Sequence, residues 1–139
     1  MRKIALLTVA LLVFVPAVSS AQSNDDDYFL GLLDGKPPRD LDKKLANAAQ
    51  YPLGSADNPI RVHEPRGEVL YLRRLRCENG QRPAFERSGS AGLGPFDHII
   101  DDYVVTCAGS KPAESHIFMD MYFPNYVETR APEGFTIVP

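Results

Sequence analysis

The sequence predicts a mainly β domain of the α+β class: a small antiparallel sandwich or barrel preceded by a short helical segment. Two observations predict it. After Tyr51, β-forming runs crowd the chain, broken by Gly and Pro turns and not interleaved with helical patterns. Before Tyr51 lies a stretch with helical spacing. The chain thus divides into residues 1–21, an export signal, residues 22–50, a tail and helical segment, and residues 51–139, the β domain.

The leader comes first. Arg2 and Lys3 form a basic start, Ile4 to Val18 is nearly all apolar, and Ser19-Ser20-Ala21 supplies the small residues a signal peptidase reads. The apolar run is shorter than the ~20 residues a spanning helix needs and holds Pro16 near its end, so cleavage before Gln22 is expected rather than anchoring. What remains is one domain's length of chain. The whole chain carries a net charge of −3, and losing Arg2 and Lys3 makes the remainder more acidic. That balance argues against non-specific nucleic-acid binding. No later run reaches spanning length, so a soluble periplasmic or secreted protein is expected.

Gln22 to Asp27 reads as a polar tail, and Tyr28 to Leu33 as a short helix ended by Gly35 and Pro37-Pro38. Asp40 is the expected N-cap of a second helix through Ala49, with Leu41, Leu45 and Ala48 forming its core-facing stripe. The expected strands are Ile60–His63, Glu68–Cys77, Ala84–Arg87, Phe96–Cys107 and Ile117–Phe123, with a last edge at Thr136–Val138. Asn79-Gly80 signals a tight hairpin, and Ser88–Pro95 reads as a Gly/Ser loop.

Register follows from the turns. A two-residue Asn79-Gly80 turn places Cys77 opposite Arg82 and Arg73 opposite Glu86. A hairpin centred on Gly92 places Arg82 opposite Asp102 and Arg87 opposite Asp97. The second register would also set Cys77 opposite Cys107, so the two cannot both hold at the cysteines, where Cys77 already faces Arg82. A three-strand meander in which the end of the Cys107 strand curls over the Asn79-Gly80 turn reconciles them. Export makes a Cys77–Cys107 disulfide the default, stitching the two outer strands. For a loop of ~30 residues the chain-entropy model gives ~3.6 kcal/mol of stabilisation.

Three features carry candidate chemistry. Ser88–Pro95 has neither the Lys-Ser/Thr ending of a phosphate loop nor the leading glycine of a nucleophile elbow. Its length and glycines suit recognition, with Ser88, Ser90 and an exposed Leu93 as contact residues. His98 and Asp102 share strand parity, as do His116 and Asp120. If their strands are neighbours the four converge, which would suit a small hydrolase or a metal-dependent protein. Residues 61–87 hold Arg61, Arg66, Arg73, Arg74, Arg76, Arg82 and Arg87 but no lysine, while the residues beyond are mainly acidic. These arginines either form an anion groove or pair with the acidic half inside one sheet, and the register favours pairing.

In size, export and single disulfide the chain resembles small periplasmic β-proteins, lysozyme inhibitors among them. The residues shared with an inhibitor loop are Ser88-Gly89-Ser90 alone, so no site assignment follows. The expectation is a non-enzymatic binding or structural module contacting a protein or glycan of the cell envelope. It would need no cofactor or metal, bind no nucleic acid and have no membrane span after cleavage. The alternative is the hydrolase built on His98, Asp102, His116 and Asp120.

Overall fold

The structure, a computed structural model, describes residues 40–139. The expected export signal at 1–21, the expected tail and the helix expected at 28–33 lie outside the described residues. Among the described residues no helix is long and apolar enough to cross a membrane.

Helix α1 (Leu41–Ala48) forms where its apolar spacing predicts. Ala48 is buried, and Leu41 and Leu45 pack with it against Phe96, Phe123 and Tyr126. Asp40 occupies the N-cap position with φ 59° but makes no side-chain cap bond. Lys44, one turn on, pairs with Asp97 and ties α1 to a turn more than fifty residues away.

Strand β1 (Ile60–His63) is as expected, alternating buried Ile60 and Val62 with Arg61 and His63. The next element is not. Glu68–Cys77, expected as one long strand, is mostly helix α2 (Glu64–Arg74), with only its end forming β2 (Leu75–Cys77). Strand parity puts Tyr71 and Leu72 on opposite faces, yet both are buried and Leu70 is exposed. The buried positions Glu68, Tyr71, Leu72 and Leu75 fall at i, i+3, i+4 and i+7, the spacing of one helical face. Pro65 sits in the first turn, where its missing N–H costs nothing. Gly67 lets the helix close on β1, since a Cβ there would lie 3.1 Å from Val62 Cβ.

The Asn79-Gly80 turn forms, with the Gly80 amide bonded to the Cys77 carbonyl (2.8 Å) and Gly80 at φ 80°. It does not close a hairpin ladder. β2 pairs instead with β7 (Phe135–Ile137), Cys77 lying opposite Phe135. The expected pairs Cys77–Arg82 and Arg73–Glu86 are therefore absent.

Strand β3 (Ala84–Leu93) runs six residues past the expected Arg87, so most of the expected Ser88–Pro95 loop is strand. It pairs antiparallel with β4 (Ile99–Thr106), with register shifts between Arg87 and Gly89 and between Ser90 and Gly92. Two bulges thus absorb the glycine-rich sequence that reads as a loop. Arg87 lies opposite Tyr103 and Gly89 opposite Asp102, so neither Arg82–Asp102 nor Arg87–Asp97 forms. The expected Ile117–Phe123 strand is two: β5 (Glu114–Asp120) and β6 (Tyr122–Val127).

The large sheet has the order β3-β4-β5-β1-β6, and β2-β7 is a second, small sheet. Among the described residues the chain is mainly β with two helices, as expected of the class. It is not closed as a barrel, and it is mixed rather than antiparallel, because β1 runs parallel to β5. One face of the large sheet (Ile60, Val62, Tyr103, Val105, Ile117, Met119) packs on Tyr71 and Leu72 of α2 and on Leu75, Phe135 and Ile137 of the small sheet. Fully burying a side chain such as Leu72 is worth about 1.5–3 kcal/mol. The opposite face is covered at one end by α1 and the rings of Phe96 and Phe123.

The disulfide Cys77–Cys107 forms across a Cα–Cα distance of 5.8 Å. It links the small sheet to the residue following β4, not two neighbours of one meander. The end of the Cys107 segment does lie over the Asn79-Gly80 turn: the Asn79 side chain donates to the Ala108 carbonyl (3.0 Å) and its amide to Ser110 Oγ (3.2 Å).

Candidate functional site

The four residues of the His/Asp reading sort into two pairs. His98, in the turn before β4, places Nδ1 2.9–3.0 Å from both oxygens of Asp120 at the end of β5. This pair is buried, the imidazole packing against Tyr122 (5.2 Å) and Phe123 (5.6 Å). Asp120 also accepts the Tyr122 amide (3.0 Å). His116 of β5 places its Nδ1 2.9–3.0 Å from both oxygens of Asp102 on β4, but this pair is exposed. Phe118, the Cα partner of Asp102, stands between the two pairs along β5.

An ionised carboxylate can only accept, so each Nδ1 donates and each ring is held in one tautomer. Such a pair can orient a base, and His116 is the one open to solvent. No hydrogen bond joins either histidine to a serine, threonine or cysteine among the described residues. Nor do those residues include a group of three or more His, Cys, Asp or Glu arranged to hold a metal ion.

Ser88, Ser90 and Leu93, the expected contact residues, all lie on β3. Ser88 is exposed at the first bulge. Ser90 is exposed opposite Asp101, its Oγ accepting the Gly92 amide at 3.4 Å. Leu93 is 68% exposed, and its Cα partner Ile99 is 46% exposed beside it. The turn joining them is fixed from beneath. Phe96 is fully buried in the α1 cluster, Asp97 pairs with Lys44, and the Gly94 amide donates to the His98 carbonyl (2.7 Å).

The arginines divide. Arg87 makes a two-pronged bond to Asp101, 2.6 Å on each side. Arg61 stacks over Tyr126 (5.0 Å), Phe123 (5.8 Å) and Phe96 (5.9 Å) and lies 3.6 Å from Glu128. Arg74 spends its donors on the Val138 (2.9 Å) and Glu128 (3.1 Å) carbonyls, fastening α2 to the C-terminal segment. Arg76 likewise bonds backbone carbonyls. Much of the positive segment is thus consumed inside the fold, with partners other than those the turn register gave.

Two buried carboxylates stand outside the sequence reading. Glu128 is 1% exposed and accepts from Arg130 through Nε (3.0 Å) and a terminal nitrogen (2.8 Å), and from the Thr129 and Arg130 amides. Burial by itself raises its pKa, but the Arg130 and backbone hydrogen bonds outweigh that and hold it below the usual range. Glu68 is equally buried, accepts one bond from the Tyr103 hydroxyl (3.0 Å), and has Oε1 without a partner. Burial, and then the nearby Asp101, pushes its carboxyl up to about 7. The helical spacing of Glu68 with Tyr71, Leu72 and Leu75 was the one signal that could have placed it in the core.

Compared with known families, curated proteins and solved structures, the chain finds no match. The fold and site define a disulfide-stapled, mainly β domain with a rigidly seated, outward-facing hairpin.

Proposed function

We propose that this chain is an exported, non-enzymatic binding module that contacts a protein or glycan of the cell envelope through the β3–β4 hairpin. The observation carrying the reading is the side-by-side exposure of Leu93 and Ile99 above a turn fixed by Phe96 and Asp97. A solvent-facing apolar pair on a rigid base binds without first losing loop entropy. The basic and apolar leader and the disulfide support export. The separation of the His/Asp residues into two self-contained pairs favours binding over hydrolysis. Leu93 speaks for a protein surface, and Ser88 and Ser90 extend the contact with hydroxyls.

The test is co-sedimentation of the processed protein with isolated envelope fractions, alongside the Leu93→Asp, Ile99→Asp double variant. The variant should melt like the parent, because both side chains are exposed, and should lose at least tenfold in apparent affinity. Equal binding by a variant that melts like the parent contradicts the reading.

A further inference from the structure

We propose that the free edge of β3 from Ala84 to Ser88 accepts an extended, cationic polypeptide segment as an added strand. The site lies at the other end of β3 from the Leu93–Ile99 pair and does not rest on that pair's proposed role. Among the described residues, β3 ends the large sheet and pairs on one side only, with β4. Among the described residues, no backbone hydrogen bond from outside the β3–β4 ladder reaches Ala84–Leu93. Its outward amides and carbonyls are therefore a template for another strand.

Only the first part of that edge keeps ladder geometry. Ala84–Arg87 pair with Thr106–Tyr103 without interruption, and the bulges begin beyond Arg87. The sheet's other edge, β6, carries Pro124, which has no N–H to donate, and Asn125 at φ 59°. A groove of about 470 Å³ lies along the regular part of β3, lined by Ala84 to Ser88 with Val104 and Thr106.

Charge selects the occupant. Glu86 lies opposite Val104, and Glu114 opposite Thr106, on the sheet face that also holds Asp102. Asp102 is taken by His116, whereas Glu86, on the edge strand itself, has no cationic partner among the described residues; Glu114 stands two strands further in, on β5. Arg87 points to the other face, where it is bound to Asp101. A strand with Lys or Arg at alternate positions would set one of those cations beside Glu86, the carboxylate on the edge strand itself. Self-association is disfavoured by the same residues. Antiparallel pairing of two β3 edges about Glu86 puts that carboxylate opposite its copy, and pairing about Arg87 does the same for the guanidinium.

The experiment uses the processed protein and nine-residue synthetic peptides alternating threonine with either lysine or glutamate. Two further lysine peptides are N-methylated on one or the other alternate set of amides. Binding is read by titration calorimetry, and the site by amide hydrogen exchange. The lysine peptide should bind at least tenfold tighter than the glutamate peptide and protect amides within Ala84–Ser88. One methylated peptide should lose at least tenfold in affinity and the other should not, because an added strand presents only one set of amides to the edge. Glu86→Lys should reverse the charge preference, and Leu93→Asp should leave binding unchanged. Equal tolerance of both methylated peptides, protection on β6 instead, or no binding by the lysine peptide overturns the proposal.

Discussion

Glu68 keeps a carboxyl in the core with one oxygen unpartnered, and what that costs depends on pH. Its folded pKa of about 7 lies above the ordinary 4.5, so between those values the folded chain holds a proton the unfolded chain has released. Its contribution is fully present below about pH 4.5 and is lost as pH rises through 7, by up to ~3 kcal/mol. Glu68→Gln removes the titration and should flatten the fall in melting temperature between pH 5 and pH 8. A variant whose melting temperature falls as steeply as the parent's would show that Glu68 is not the source. Glu128 has the opposite sign, its stabilisation being lost as pH falls through its lowered pKa. Gly94 tests the hairpin turn, because a Cβ there would lie 2.5 Å from Ile100 Cγ2, a buried side chain. Gly94→Ala should destabilise by ~1–3 kcal/mol, measured by urea unfolding. Neither role was legible in the sequence: Glu68 falls in a run that reads as strand, where its helical spacing with Tyr71, Leu72 and Leu75 goes unseen, and Gly94 is one of several loop glycines with no sign of what packs on it.

At the scale of elements, β1 and α1 were legible because each has one dominant periodicity. α2 was not, for a physical reason. Val69, Leu70, Tyr71 and Leu72 are β-formers or neutral residues, and a short apolar run supports either reading until burial decides. The helix makes a sharp distinction between neighbours. Leu72→Ala should cost about 2–5 kcal/mol in chemical unfolding, whereas Leu70→Ala should stay within ~0.5 kcal/mol. A strand of that register would make both substitutions, which share parity, cost alike. β3 was read short because its glycines signal a turn, yet Gly89 and Gly92 sit where the ladder shifts. Leu93 is exposed, as expected, but it stands with Ser88 and Ser90 on a bulged strand, and the Gly94–His98 turn beyond them is part of the core through Phe96.

Across the whole molecule, strand order was the least legible property. The parallel β1–β5 pair joins segments more than fifty residues apart, and no local turn encodes it. The Cys77–Cys107 bond, by contrast, was legible from there being two cysteines behind a leader that reads as an export signal, and it ties the small sheet to the end of β4. Replacing both cysteines with alanine should cost about 3–4 kcal/mol, read as a lower urea midpoint, on the chain-entropy estimate for a loop of this length. The four residues of the His/Asp reading bond as His98–Asp120 and His116–Asp102, which parity did not give, because it says which face a residue occupies and not which neighbour it bonds.

The central claim is that this stapled sheet presents Leu93 and Ile99 to a partner in the envelope. The most direct measurement is photo-crosslinking in intact cells, with a benzophenone side chain placed at Leu93 and, as a control, at Glu78, also exposed, beside the far turn. The account predicts a discrete adduct from position 93 alone, lost when Ile99→Asp is added while the melting temperature is unchanged. No adduct from position 93, or the same adducts from position 78, would contradict it.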